Sequence, residues 1–142
     1  MTLDEIRDQV MFQTNNDADD VEDFLPSLND YINEAYDRLV SVWAKAHVPS
    51  TAWPALRDPL ESETSGVGID TPKTPEWTHR YLADWATWLV YRNGNPQKQQ
   101  RGYAYREAFL GMLSTISDQG GADGLNEDGS QKQYKFIINI PR

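Results

Sequence analysis

The strongest constraint on this chain is one run of apolar residues at helical spacing. Leu28, Ile32, Ala35, Leu39, Val42 and Ala46 follow one another in steps of four and three, the period that stacks side chains on one face of an α-helix. Tyr36, Val40 and Trp43 form a second stripe beside the first. A helix apolar on two sides must be covered on two sides, so this segment needs several partners. It is expected over about residues 21–47. Pro26 fits best in a first turn, which moves the start towards residue 25. Pro49 stops it.

Three further segments supply those partners. Thr2-x-x-Glu5 is a capping box ahead of Leu3, Ile6 and Val10, which predicts a short helix over about residues 3–12. Asn15-Asn16-Asp17 breaks it, because these side chains compete for backbone hydrogen bonds. Thr74-Pro75-Glu76 opens a third helix as cap, first-turn proline and acid. Trp77, Tyr81, Trp85 and Trp88 run down one side of it, with Leu82 and Leu89 alongside. At this spacing an aromatic stripe reads as core rather than as a platform for bases or sugars. It ends near Asn93-Gly94. Asn95-Pro96 starts a fourth helix over about residues 96–117, striped by Tyr105, Phe109, Met112 and Ile116. The three-residue link favours an antiparallel hairpin.

The rest is irregular. Residues 48–75 hold five of the eight prolines and read as a long connection anchored by Trp53, Leu56 and Leu60, with little to hold Glu61 to Asp70. Residues 118–130 hold four of the nine glycines and read as a flexible linker, with a reach of about 20 Å as a coil. In residues 131–142, Tyr134, Phe136, Ile138 and Ile140 alternate with Lys135, Ile137 and Asn139, the pattern of a strand. A lone strand leaves its backbone groups unpaired, so it is expected to be a docking arm on another chain, those four side chains filling pockets and Pro141 ending the pairing; the alternative is that it folds back on its own helices to cover an apolar patch. The expected fold is therefore all-α: a small four-helix bundle over 1–117 with a long Pro-rich loop, a linker over 118–130 and an extended C-terminal β-strand arm over 131–142. No internal repeat is visible.

Charge is divided along the chain. Of the 142 residues, the first 40 carry eleven acids against Arg7 and Arg38, which accounts for the whole formal charge of −9; the remaining residues are neutral. Within that remainder, Arg92, Lys98, Arg101 and Arg106 follow one another with no acid between them. An acidic front and a basic patch suggest complementary contacts, and Asp19, Asp20, Glu22 and Asp23 are the candidate partners of the four bases at a subunit interface. An acidic face kept solvated for solubility is the plainer reading. The overall charge repels phosphate and argues against nucleic-acid coating.

Composition removes other functions. There is no cysteine, hence no disulfide, Fe–S cluster, zinc finger or thiol nucleophile. His47 and His79 stand in different segments, without metal-ligand spacing. Asn15-x-Asp17-x-Asp19 opens like a calcium loop, but Asp20 stands where glycine is needed and Pro26 where the bidentate Glu is needed. No phosphate-binding or nucleophile-elbow motif is present. The expectation is no enzyme, no cofactor and no metal. The opening Met-Thr-Leu-Asp-Glu lacks a signal-peptide pattern, and no apolar run approaches the roughly 20 residues of a membrane span.

Phe24-Leu25-Pro-Ser-Leu-Asn-Asp-Tyr-Ile-Asn-Glu-Ala-Tyr-Asp-Arg-Leu39, after a short capped helix, resembles the opening of the head–tail connector (adaptor) proteins of tailed bacteriophages. In that family a short first helix precedes a longer one with an Asn-Glu-Ala-like stretch, matched here by Asn33-Glu34-Ala35. The Pro-rich loop, Thr74-Pro75-Glu76-Trp77 and the aromatic hairpin extend the resemblance over about residues 1–117. It implies a virion protein of the neck, made in the host cytoplasm. It would form a homo-oligomeric ring, usually twelve-fold, beneath the portal protein and against head-closure or tail-side neck proteins. DNA would pass through its channel without specific binding. The acidic segment would line either a subunit seam or that channel. Two rival readings stand beside it: a helical protein-binding or regulatory module of a phage or host, and an enzyme using a carboxylate pair near the Pro-rich loop.

Overall fold

The computed structural model describes residues 1–14, 25–47, 59–61 and 70–120. Of these, 82% are helical. Four α-helices follow in order: α1 (Leu3–Gln13), α2 (Leu28–His47), α3 (Glu76–Tyr91) and α4 (Pro96–Gly120), with a 3₁₀ turn over Leu25–Ser27 just ahead of α2. The described residues contain no strand. The linker and arm sequences beyond residue 120, including Tyr134, Phe136, Ile138 and Ile140, lie outside the described residues, as do Asp19, Asp20, Glu22, Asp23, Trp53 and Leu56.

Local chemistry sets most of the boundaries. The capping box forms on α1: Glu5 N donates to Thr2 Oγ1 and Thr2 N donates to Glu5 Oε1. The Thr2 backbone N–H, donating to that carboxylate, also holds the exposed Glu5 carboxyl below its ordinary pKa. Asn95 caps α4 by accepting from Lys98 N. Three boundaries differ from the sequence reading. The second helix becomes α-helical only at Leu28, with Pro26 in the 3₁₀ turn ahead of it and not in its own first turn. Pro75, not Thr74, occupies the N-cap of α3, and no side chain caps that end; Thr74 Oγ1 instead accepts from the Thr78 hydroxyl. The fourth helix runs on to Gly120, three residues into the expected linker.

The central helix is α3, which packs against α1, α2 and α4, while α1 and α4 hardly touch each other. Met1 lies beside His79 and Gln13 beside Thr87, so α1 runs alongside α3 in the same direction. In the opposite sense, α4 places Phe109 against Trp85, ring centroids 4.9 Å apart, and Gly102 against Trp88 and Tyr91. A Cβ at Gly102 would sit 2.8 Å from Trp88 Cε3 and 3.0 Å from Tyr91 Cβ, so the hairpin closes there because no side chain intervenes.

One core fills the space between the helices. It contains Leu3, Ile6 and Val10 from α1, Leu28, Ile32, Ala35 and Leu39 from the first stripe of α2, and Tyr36, Val40 and Trp43 from the second; Val42 and Ala46, which end the first stripe, are only half-buried. Leu82, Trp85 and Leu89 of α3 and Phe109, Met112 and Ile116 of α4 complete it. The aromatic stripe of α3 is only partly core. Trp85 is buried, Tyr81 and Trp88 are half-buried, and Trp77 is 43% exposed. A stripe at steps of four, four and three drifts around a helix of 3.6 residues per turn, and its first member leaves the covered side.

Candidate functional site

Asn33-Glu34-Ala35 sits where α2, the Pro-rich connection and α3 meet. Ala35 is fully buried, letting the helices approach. Asn33 uses its amide at both ends: Leu60 N donates to Oδ1 at 2.7 Å, and Nδ2 donates to Leu60 O at 3.0 Å. The side chain thereby imitates a strand neighbour and pairs an extended backbone that has no ladder of its own. Leu60, 6% exposed, enters the core beside it. Asp70 closes the other side, with Oδ2 accepting from Glu61 N and its carbonyl from Leu3 N. The ends of the 61–70 segment are thus held, contrary to the sequence reading, because Asp70 supplies both a side-chain and a main-chain acceptor. Lys73 N donates to Tyr36 Oη and completes the tie to α2.

Glu34 turns towards α3. Its Oε2 accepts from Trp85 Nε1 at 2.7 Å, and Arg38 lies 3.8 Å from the same oxygen with its guanidinium 4.7 Å above the Trp85 ring. Acid, indole and guanidinium satisfy one another at the edge of the core. An open groove between α2 and α4, lined by Glu34, Asp37, Arg38, Ser41, Val42 and Leu113, runs past this cluster.

Two buried polar groups join α1 to α3. Asp84 stands in an otherwise apolar run, Leu82-Ala83-Asp84-Trp85-Ala86. It accepts from Gln13 Nε2 at 2.9 Å, and Gln13 Oε1 accepts from the Thr87 hydroxyl at 2.6 Å. Burial pushes the Asp84 carboxyl above its ordinary pKa, opposed by the Gln13 hydrogen bond and the Arg80 charge. At the other end of α1, the Met1 amine donates to His79 Nδ1, which leaves Nε2 to donate to Thr74 O. Burial lowers the His79 pKa, against the opposing pull of the Thr74 carbonyl. The histidine is a buried tie between elements.

The four candidate interface bases do not form one patch. Arg101 and Arg106, five residues apart, fall about 140° apart around α4. Arg106 lies on the flank of Gln99 and Tyr103; its guanidinium is 6.0 Å from the Trp88 ring centroid and 2.8 Å from Glu107 Oε1. Arg92, at the C-cap of α3, belongs to the same flank, its carbonyl accepting from Gln99 Nε2. Trp88 and Tyr103 stack there at 5.3 Å, with Tyr103 45% exposed. Arg101 occupies the opposite flank, exposed, and Lys98 is half-buried on the inner side of the first turn. The linear run of bases contained no sign of this split, which follows from the helical turn.

Among the described residues there is no group of three or more His, Asp or Glu placed to hold a metal ion, and no helix long and apolar enough to cross a membrane. Comparison with protein-family models, with curated proteins and with solved structures returns no match.

Proposed function

We propose that this chain is a structural adaptor of the head–tail connector type, an assembly protein of the phage neck rather than an enzyme. On this reading the helical bundle runs through Gly120, followed by a linker to residue 130 and a strand-like arm over 131–142. Copies form a ring, twelve-fold by analogy, beneath the portal protein and contact head-closure or tail-side proteins, with DNA passing through the centre. The observation that carries the reading is the role of Asn33-Glu34-Ala35: each residue of the stretch that bears the resemblance makes a defining contact, with the strap at Leu60, with Trp85, and within the core. A motif that organises its own fold is what an assembly module requires, since its function lies in presenting surfaces. The concentration of acid in the first 40 residues agrees with either a subunit seam or a channel wall along which DNA slides.

A second reading, a helical protein-binding or regulatory module, draws on the exposed apolar side chains Phe12, Trp77 and Tyr103. One experiment separates the two. Purified portal rings are mixed with the full chain and with a chain lacking residues 131–142, and bound mass is measured. An adaptor adds a ring of copies to the portal, and loss of the arm leaves the melting temperature of the helical part unchanged while joining of capsid to tail fails. A full chain that leaves the portal ring bare, yet binds a regulatory partner one to one, belongs to the second reading.

A further inference from the structure

Two exposed surfaces on different helices complement each other. Glu5, Asp8 and Phe12 fall within about 60° of one another on α1, on the side opposite Leu3, Ile6 and Val10. All three are exposed, and Phe12, at 74%, is the barest large apolar side chain among the described residues. The second surface is the α3–α4 edge of Trp88, Tyr103, Arg106 and Arg92. One surface offers two carboxylates and a phenyl ring; the other offers two guanidinium groups and a stacked aromatic pair. Because α1 and α4 pack on α3 without packing on each other, neither surface covers the other within one chain.

We propose that the outer face of α1 docks on the Trp88–Tyr103–Arg106 edge of a second copy, head to tail. Phe12 extends the Trp88–Tyr103 stack, and Asp8 and Glu5 meet Arg106 and Arg92. Acid faces base and ring faces ring in this arrangement, whereas pairing α1 with α1 would oppose like charges. The Arg106–Glu107 pair is exposed, and such pairs contribute little, so Arg106 can exchange partners without large cost. The contact joins two different surfaces and is therefore heterologous, so it propagates into a closed ring or an open chain instead of ending at a dimer. The inference rests on the assembly reading above and names the surface by which one copy holds the next.

The test is sedimentation equilibrium of the full chain from micromolar to millimolar concentration, at low and high salt. The wild-type chain is expected to self-associate, more weakly as salt rises. Phe12→Ser and Arg106→Glu should each weaken association about tenfold or more, the scale of losing an anchor residue, with unchanged thermal unfolding because both side chains are on the surface. Asp8→Arg combined with Arg106→Glu should recover affinity relative to Arg106→Glu alone. A wild-type chain that stays monomeric throughout, or single variants that associate like wild type, overturns the contact. Chains that join portal rings but ignore these substitutions overturn the contact and leave the adaptor reading standing. Chains that associate through these residues but leave portal rings bare do the reverse.

Discussion

Replacing Asn33 by alanine removes both hydrogen bonds that hold the Leu60 backbone to α2. If the strap stays in place and water enters, two hydrogen bonds at roughly 1 kcal/mol each are lost, about 2 kcal/mol. If the segment peels away, Leu60 also leaves the core; burial of a leucine side chain is worth about 1.5–3 kcal/mol, so the cost rises to about 3.5–5 kcal/mol. For a domain of this size each kcal/mol moves the melting point by about 3–4 °C, which gives a fall of roughly 6–20 °C. Asn33→Asp sharpens the test. It keeps an acceptor for Leu60 N–H but places an anionic oxygen against the carbonyls of Leu60 and Asn29, to which Nδ2 now donates. At neutral pH it should be at least as destabilised as the alanine variant, and it should recover as the carboxylate protonates. Urea unfolding gives the magnitude, and amide hydrogen exchange at Leu60 separates the two routes: fast exchange there with Leu39 still protected means the strap has peeled. An Asn33→Ala protein with unchanged midpoint and unchanged Leu60 exchange would falsify the clamp.

Three other outcomes follow from the packing and the buried acid. Leu39→Ala removes a fully buried side chain from α2 and should cost about 2–5 kcal/mol in urea unfolding; an unchanged midpoint would mean that this stripe is not core. Gly102→Ala forces a methyl group into contact with Trp88 and Tyr91 and should cost about 1–3 kcal/mol by overpacking, with a shift in tryptophan fluorescence; a stability equal to or above wild type would contradict the close approach. The raised pKa of Asp84 means that the folded chain holds this proton to higher pH than the unfolded chain does. Its stabilising contribution is then complete below about pH 3.8 and is lost as pH rises through the folded pKa. Asp84→Asn, which can still accept from Gln13, should therefore compare better with wild type at pH 7 than at pH 3.5, and an equal difference at both values would show that Asp84 is not desolvated.

How much of this was legible depended on the range of the interaction. The α1 capping box, the second stripe of α2, the first stripe as far as Leu39 and the start of α4 at Asn95-Pro96 are local patterns within a few residues, and the structure places them as read. The antiparallel hairpin followed from its short link. What escaped was contact between distant residues. Asn33 and Leu60 are 27 residues apart and Gln13 and Asp84 are 71 apart, and single-sequence periodicity carries no information at that distance. Asp84 did leave a trace: an acid inside Leu82-Ala83-Asp84-Trp85-Ala86 is a polar group on a covered face, which must have a partner. The capping role assigned to Thr74 fell one residue away from the actual boundary, a scale at which helix ends are set by small energies. The basic run from Arg92 to Arg106 read as one patch because linear spacing hides the helical turn that separates Arg101 from Arg106.

The central claim is that this chain works by joining other proteins, and mass measurement of the portal complex tests it most directly. Portal rings incubated with excess full-length chain and separated from unbound protein should gain the mass of a ring of copies, one per portal subunit. The added copies should appear by electron microscopy as a collar on one face of the portal with an open central channel. Portal rings that emerge at their original mass, with the chain recovered entirely in the unbound fraction, would contradict the account.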